Sequence, residues 1–212
     1  MLGANGAGKT TVLQFLSGVL EARSGVLLSA GDRIDPAADS WRRQLSYVPD
    51  DGGTIPLLTV AEQLHLQRAF HGVSGTEAEQ RTDTVVGLLG LQAFRNLRGD
   101  ALSVGTRKRL GVALAIIRDA RVFLLDEPFA ALDAQAVETA RGVLKVLSSR
   151  RRTVILASHS PAFLQSLANR VWMVRDGVVE DHADPAVVAA FLAAQATDLP
   201  SFGHDVLSWI PQ

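Results

Sequence analysis

The chain has 212 residues, which fits one large α/β domain or a core with a small subdomain, and its hydrophobic fraction of 47% is that of an ordinary globular protein. The 21 basic and 22 acidic residues nearly cancel, so no electrostatic footprint for nucleic acid or anionic lipid is present, and the absence of cysteine excludes a disulfide framework and any thiolate metal site. The glycine-rich start lacks the apolar core of a signal peptide, and no apolar run approaches the ~20 residues that cross a bilayer, so a membrane role must come through a partner.

The chain order begins with a loop. Gly3-Ala4-Asn5-Gly6-Ala7-Gly8-Lys9-Thr10 is a complete G-x-x-x-x-G-K-[ST] pattern. Glycines let consecutive backbone N–H groups turn onto a polyphosphate where a Cβ would clash. Lys9 then reaches the β- and γ-phosphates, Thr11 the α-phosphate side, and the Thr10 hydroxyl can ligate Mg²⁺. A helix is expected from about Lys9 to Ser17, with Val12, Leu13 and Leu16 as its apolar stripe and Gly18 as its cap. Its N-terminal dipole also favours anions. Such a loop normally follows a buried strand. Only Met1 and Leu2 precede it, so the central sheet is expected to have an unfilled position.

Further along, Gly25–Gly31 reads as a short strand and turn, and Leu45–Val48 as a strand ending at Pro49. Thr59 is placed to cap a helix containing Val60, Leu64 and Leu66, with Glu62 at its third position. Gly72–Gly75 breaks that helix, and a second runs from Glu77 to Leu89. The block has no strand pattern and reads as a helical insertion. Leu102-Ser103-Val104-Gly105 is expected to precede a helix carrying Leu110, Ala113, Leu114 and Ile117 on one face. Arg121–Leu125 is a continuous apolar strand of the kind found inside parallel sheets. A helix over Ala134–Ser149 and a strand over Thr153–Ala157 follow. Val171–Val174 and Val178–Glu180 flank the hairpin signal Asp176-Gly177, and Asp184-Pro185 opens a last helix. The tail Thr197–Gln212 is expected to be loosely packed. Trp41 and Trp172 read as partly buried anchors, and His65, His71, His182 and His204 as structural or surface residues.

The strand Val122-Phe123-Leu124-Leu125 ends in Asp126 and Glu127. Residues at the end of a parallel strand project into the ligand crevice. Asp126 would hold Mg²⁺ through water, and Glu127 would polarise an attacking water as general base.

With these residues together, the sequence resembles the nucleotide-binding subunit of ABC transporters. Leu102-Ser103-Val104-Gly105-Thr106 resembles the family's signature loop, Ala131-Leu132-Asp133 its D-loop, and His159 its switch histidine. Ser46-Tyr47-Val48-Pro49 matches the segment leading into the Q-loop, and Pro56–Glu62 looks like the start of the helical subdomain. The resemblance spans roughly Leu2 to Val188. It implies a P-loop NTPase with a mainly parallel sheet flanked by helices, an antiparallel edge portion and a helical subdomain over about residues 56–118. The ATP-binding domain would cover residues 1–196. Two such domains would face each other, with ATP and Mg²⁺ between the Asn5–Thr11 region of one and the Leu102–Thr106 loop of the other. Glu127 and His159 would act at the γ-phosphate, Thr10 and Asp126 at the metal, and Asp133 would couple the two sites. The expected activity is ATP hydrolysis driving transport through a separate transmembrane permease, at the cytoplasmic face of the membrane, with no nucleic acid partner.

Three departures from the family pattern stand out. The strands that normally precede the P-loop, with their adenine-stacking aromatic, have no counterpart, and the simplest expectation is a late-assigned start or a fragment. Asp50 stands where the family carries Gln; it can still serve in catalysis and as a metal ligand, and Asp50→Gln is expected to raise turnover. Val104 replaces a glycine and would be strained if its position needs a left-handed backbone. Two rival readings stay open: a non-transport ABC-type ATPase acting on nucleic acid or ribosomes, and a nucleotide-binding regulatory subunit with little turnover.

Overall fold

The computed structural model describes residues 1–72, 74–130, 134–149, 152–159, 164 and 168–182. In chain order its elements are α1 (Lys9–Ser17), β1 (Leu27–Ser29), β2 (Asp32–Ile34), α2 (Asp39–Arg42), β3 (Leu45–Val48), α3 (Val60–Phe70), α4 (Thr76–Leu88), α5 (Val104–Arg118), β4 (Val122–Asp126), α6 (Ala134–Ser149), β5 (Thr153–Ala157), β6 (Val171–Arg175) and β7 (Val178–His182). Short 3₁₀ turns cover Gln92–Phe94 and Gly99–Ala101. The chain forms two compact units, Thr10–Ala157 and Met1–Lys9 with residues from Ser158 onward.

The larger unit is built on a parallel sheet in the order β3-β4-β5. Its register pairs Tyr47 with Leu124, Leu124 with Ile155 and Asp126 with Ala157. β4 has a strand on each edge and is buried on both faces: Phe123, Leu124 and Leu125 are at most 1% exposed. That is why its sequence is uniformly apolar rather than alternating. β1 and β2 form a separate antiparallel hairpin. Helix α1 buries Leu13 and Leu16, and Trp41 on α2 is buried with its indole N–H donating to the Leu16 carbonyl at 2.8 Å.

The helices α3, α4 and α5 form the strand-free block, with α5 packed on α3, α4 and β3. The start of α3 is fixed by a capping box. The Thr59 hydroxyl accepts from the Glu62 N–H, and the Glu62 carboxylate accepts from the Thr59 N–H at 2.7 Å. In α5 the buried face is Leu110, Ala113 and Ile117. That helix starts earlier than expected. Ser103 is its N-cap, and Val104, Gly105 and Thr106 form its first turn rather than a loop ahead of it. Val104 is therefore helical and is not among the positive-φ residues, so the anticipated strain there is absent.

In the smaller unit β6 and β7 pair antiparallel around Asp176 (φ 51°) and Gly177 (φ 78°). Two consecutive positive φ values match the twist of a two-residue hairpin. Leu2, fully buried, makes parallel bridges to both Ser158 and Met173. Its N–H donates to the Trp172 carbonyl and its C=O accepts from the Val174 N–H, both at 2.8 Å. Both of these bonds go to β6, and on the other side the Ser158 N–H bonds the Met1 carbonyl at 3.0 Å, so Leu2 is held by isolated bridges rather than in a strand. The fold is α/β, with helices on a parallel sheet and separate antiparallel hairpins. The Asp133 segment, the Asp184-Pro185 helix start and the tail Thr197–Gln212 lie outside the described residues.

Candidate functional site

The glycine-rich loop belongs to the smaller unit. The Ala7 N–H bonds the Ala4 carbonyl at 3.2 Å, and Gly8 sits at φ 105°, a conformation closed to side chains with a Cβ. Gly3 is required for a different reason: a Cβ there would lie 2.3 Å from the Val174 carbonyl oxygen. The Gly177 N–H donates to the Ala7 carbonyl at 3.1 Å and ties the loop to the β6–β7 turn. Lys9 is 6% exposed, and its Nζ donates to the carbonyls of Gly3 (2.8 Å) and Ala4 (3.0 Å). A buried ammonium needs such partners, and the loop supplies them by curling around it. Asn5 and Gly6 remain exposed at the loop tip, and Ala7 is buried. His159 is exposed directly after Ser158, whose N–H bonds the Met1 carbonyl at 3.0 Å.

In the larger unit the structure joins Thr10 to Asp126. The Thr10 hydroxyl donates to Oδ2 at 2.6 Å, where Asp126 ends β4 and is 1% exposed. Thr11 is exposed on the same turn. Two hard oxygen donors, one of them a buried carboxylate, suit a small divalent cation such as Mg²⁺. Next along the chain, Glu127 holds φ at 44°. Its N–H donates to the Ala157 carbonyl at 3.0 Å, and its C=O accepts from the Ala130 N–H at 3.2 Å and from Lys108 Nζ at 2.8 Å. On the neighbouring strand the Tyr47 phenol is pushed up to about 12, first by burial and then by the nearby carboxylates of Asp126, Asp51 and Asp50. It stays protonated beside them.

Asp50 follows β3 and meets a residue that sequence reasoning missed. Its Oδ1 accepts from Lys108 Nζ at 2.5 Å. Lys108 sits inside a helix that the periodicity assigned to packing, and the only sequence signal is the basic run Thr106-Arg107-Lys108 facing an unusual acid. Ser103 lies exposed at the start of α5. Its hydroxyl accepts from the Thr106 N–H at 3.2 Å and pairs with the Thr106 hydroxyl at 2.9 Å, while Leu102 and Thr106 are buried. The structure therefore groups Thr10 with Asp126, and Asp50 with Lys108 and the Glu127 backbone. Ser103 is engaged within its own helix.

Known proteins resemble this chain in sequence and fold. A family model described as ABC transporter matches residues 1–130. The chain is 34% identical over 210 residues to ABC transporter G family member 4 of Arabidopsis thaliana, covering 95% of this chain and 35% of that protein. It is 32% identical over 177 residues to Nod factor export ATP-binding protein I of Cupriavidus metallidurans, covering 84% and 58%. It thus spans less than two thirds of the length of either relative. Among solved structures it is similar to a dimeric ATP-binding cassette in a post-hydrolysis state bound to ADP and Pi, with TM-score 0.75 and 25% identity over 85% of this chain and 82% of that one. The parallel sheet with a phosphate-loop helix is accordingly the P-loop NTPase fold, and this chain belongs to the ABC transporter family.

Proposed function

We propose that this chain is the ATP-binding and ATP-hydrolysing subunit of a membrane transporter that acts through a separate transmembrane permease. The observation that carries the reading is the bond between Thr10, the last residue of the phosphate-loop motif, and Asp126, the buried carboxylate ending β4. In this reading Asn5, Gly6, Ala7, Gly8, Lys9, Thr10 and Thr11 bind the nucleotide. Backbone N–H groups and the start of α1 face the phosphates, and Lys9 adds its charge. Thr10 and Asp126 would hold Mg²⁺, which when bound neutralises charge on the phosphate oxygens. Glu127, at the strand end, orients and deprotonates the attacking water, and His159 steadies the γ-phosphate.

The signature residues Leu102–Thr106 act on the nucleotide of a second copy. An exposed Ser103 at the N-terminus of a fifteen-residue helix supports this, because the hydroxyl and the first-turn N–H groups suit an anion. A dimeric relative with bound ADP and Pi supports it too. Asp133 would couple the two copies. The helical block over about residues 56–118 offers the permease its contact, within an ATP-binding domain covering residues 1–196. No helix among the described residues is long and apolar enough to cross a membrane, and docking on a permease at the cytoplasmic face follows from this reading.

ATP turnover by the purified chain with Mg²⁺ tests it. Glu127→Gln should lower turnover about a hundredfold or more while leaving ATP binding intact. A chain that binds no ATP, or a Glu127→Gln variant that hydrolyses at the parental rate, rejects the proposal.

A further inference from the structure

We infer that Lys108 is a positioning residue for Glu127, clamped in place by Asp50; this rests on the reading of Glu127 as the base. Lys108 lies on the second turn of α5, and its side chain is only 5% exposed. An ammonium so buried is stable only with good partners. It has two, from two other elements: Oδ1 of Asp50 in the segment after β3 at 2.5 Å, and the main-chain carbonyl of Glu127 after β4 at 2.8 Å.

The contact is built into the backbone. Gly52 stands at φ 89°, and a Cβ there would lie 2.6 Å from the Arg107 carbonyl oxygen. A Cβ on Gly111 would lie 2.3 Å from the Gly52 carbonyl oxygen. The segment after β3 therefore rests main chain against main chain on α5, which places Asp50 at the Lys108 ammonium.

Glu127 needs such support. A non-glycine residue in the left-handed region is held there by its surroundings. Its N–H is fixed by Ala157, and its carbonyl by Ala130 and Lys108, the last with a charge-assisted bond. Fixing both peptides of Glu127 fixes the direction in which its Cα–Cβ bond leaves the backbone. Asp50 then serves as counter-ion to Lys108, so the acid that departs from the family pattern and the lysine beside it form one device.

The test uses the full chain with Lys108→Met and Lys108→Gln, reading kcat, KM for ATP and amide hydrogen exchange at Glu127 and Ala130. Lys108→Met should lower kcat about tenfold to a hundredfold, the effect of a misplaced base, with KM changed less than about threefold. Exchange at both amides should speed up. Lys108→Gln, whose amide still donates to the Glu127 carbonyl, should recover most of the rate. Parental kcat and parental exchange in Lys108→Met overturn the proposal, as does equal loss in both variants matching their loss of folded protein. Should Lys108→Met fail to fold, Asp50→Asn removes the counter-ion charge and keeps an acceptor for the ammonium; it should lower kcat and speed Ala130 exchange, and parental values for both overturn the idea. Faster exchange in Lys108→Met together with an undiminished rate in Glu127→Gln would leave the positioning intact and remove Glu127 as the base.

Discussion

The hydroxyl of Thr10 donates to Oδ2 of Asp126 across 2.6 Å, joining residues 116 apart in the chain. The bond links the first turn of α1 to the end of the central strand. Thr10→Val keeps the shape and removes the donor, leaving a carboxylate that is 1% exposed with one bond fewer. A hydrogen bond to a charged group contributes about 1.5–3 kcal/mol, so urea unfolding should show a loss of that order. ATP binding measured with and without Mg²⁺ should also lose its metal dependence.

Val104 occupies the first turn of α5 and has no left-handed backbone to relieve. Restoring glycine there should therefore not help the fold. Val104→Gly is expected to destabilise by about 0.3–0.5 kcal/mol, the difference in helix propensity between the two residues, read from a denaturant midpoint. A more stable variant would show that the valine is strained after all.

Asp50→Gln should lower ATP turnover rather than raise it. The sequence led to the opposite expectation, but in the structure the Asp50 carboxylate is the counter-ion of a lysine that is 4% exposed. Neutralising it weakens that hold on Glu127. Because the buried lysine loses its counter-ion while the Gln oxygen can still accept its bond, stability should fall by about 1–3 kcal/mol. Steady-state hydrolysis and a thermal melt on the same preparation separate the two effects.

His71 ends α3, and its imidazole is held below the usual 6.5, first by partial burial and then by the Arg118 guanidinium. The fold therefore binds the proton less readily than the unfolded chain. Unfolding takes up a proton in that window, so stability is lost as pH falls from about 7 through 6.5 toward the lower folded value. Melting temperatures at about pH 7.5 and about pH 5.5 should differ less in His71→Gln than in the parent.

Local rules reached far into this chain. The Thr59–Glu62 capping box, the Asp176-Gly177 turn and the bounds of Leu45–Val48 and Thr153–Ala157 were legible because each is set by residues within a few positions. The phosphate loop was legible for the same reason: eight consecutive residues carry all of its glycines and its lysine. The start of α5 was misjudged because Leu102-Ser103-Val104-Gly105 is locally compatible both with a loop ahead of the helix and with a capped first turn. The hydroxyl of Ser103 bonding the Thr106 N–H decides between them.

What the chain by itself determined was the order of elements and the identity of the phosphate-loop and strand-end residues, since period and spacing are properties of the sequence. Tertiary structure alone decided the bridges of Leu2, because its partners Ser158 and Met173 lie far along the chain. It alone paired Asp50 with Lys108, 58 residues away. That pairing depends on two glycines letting one backbone lie on another, a distance that no pattern of residue types encodes.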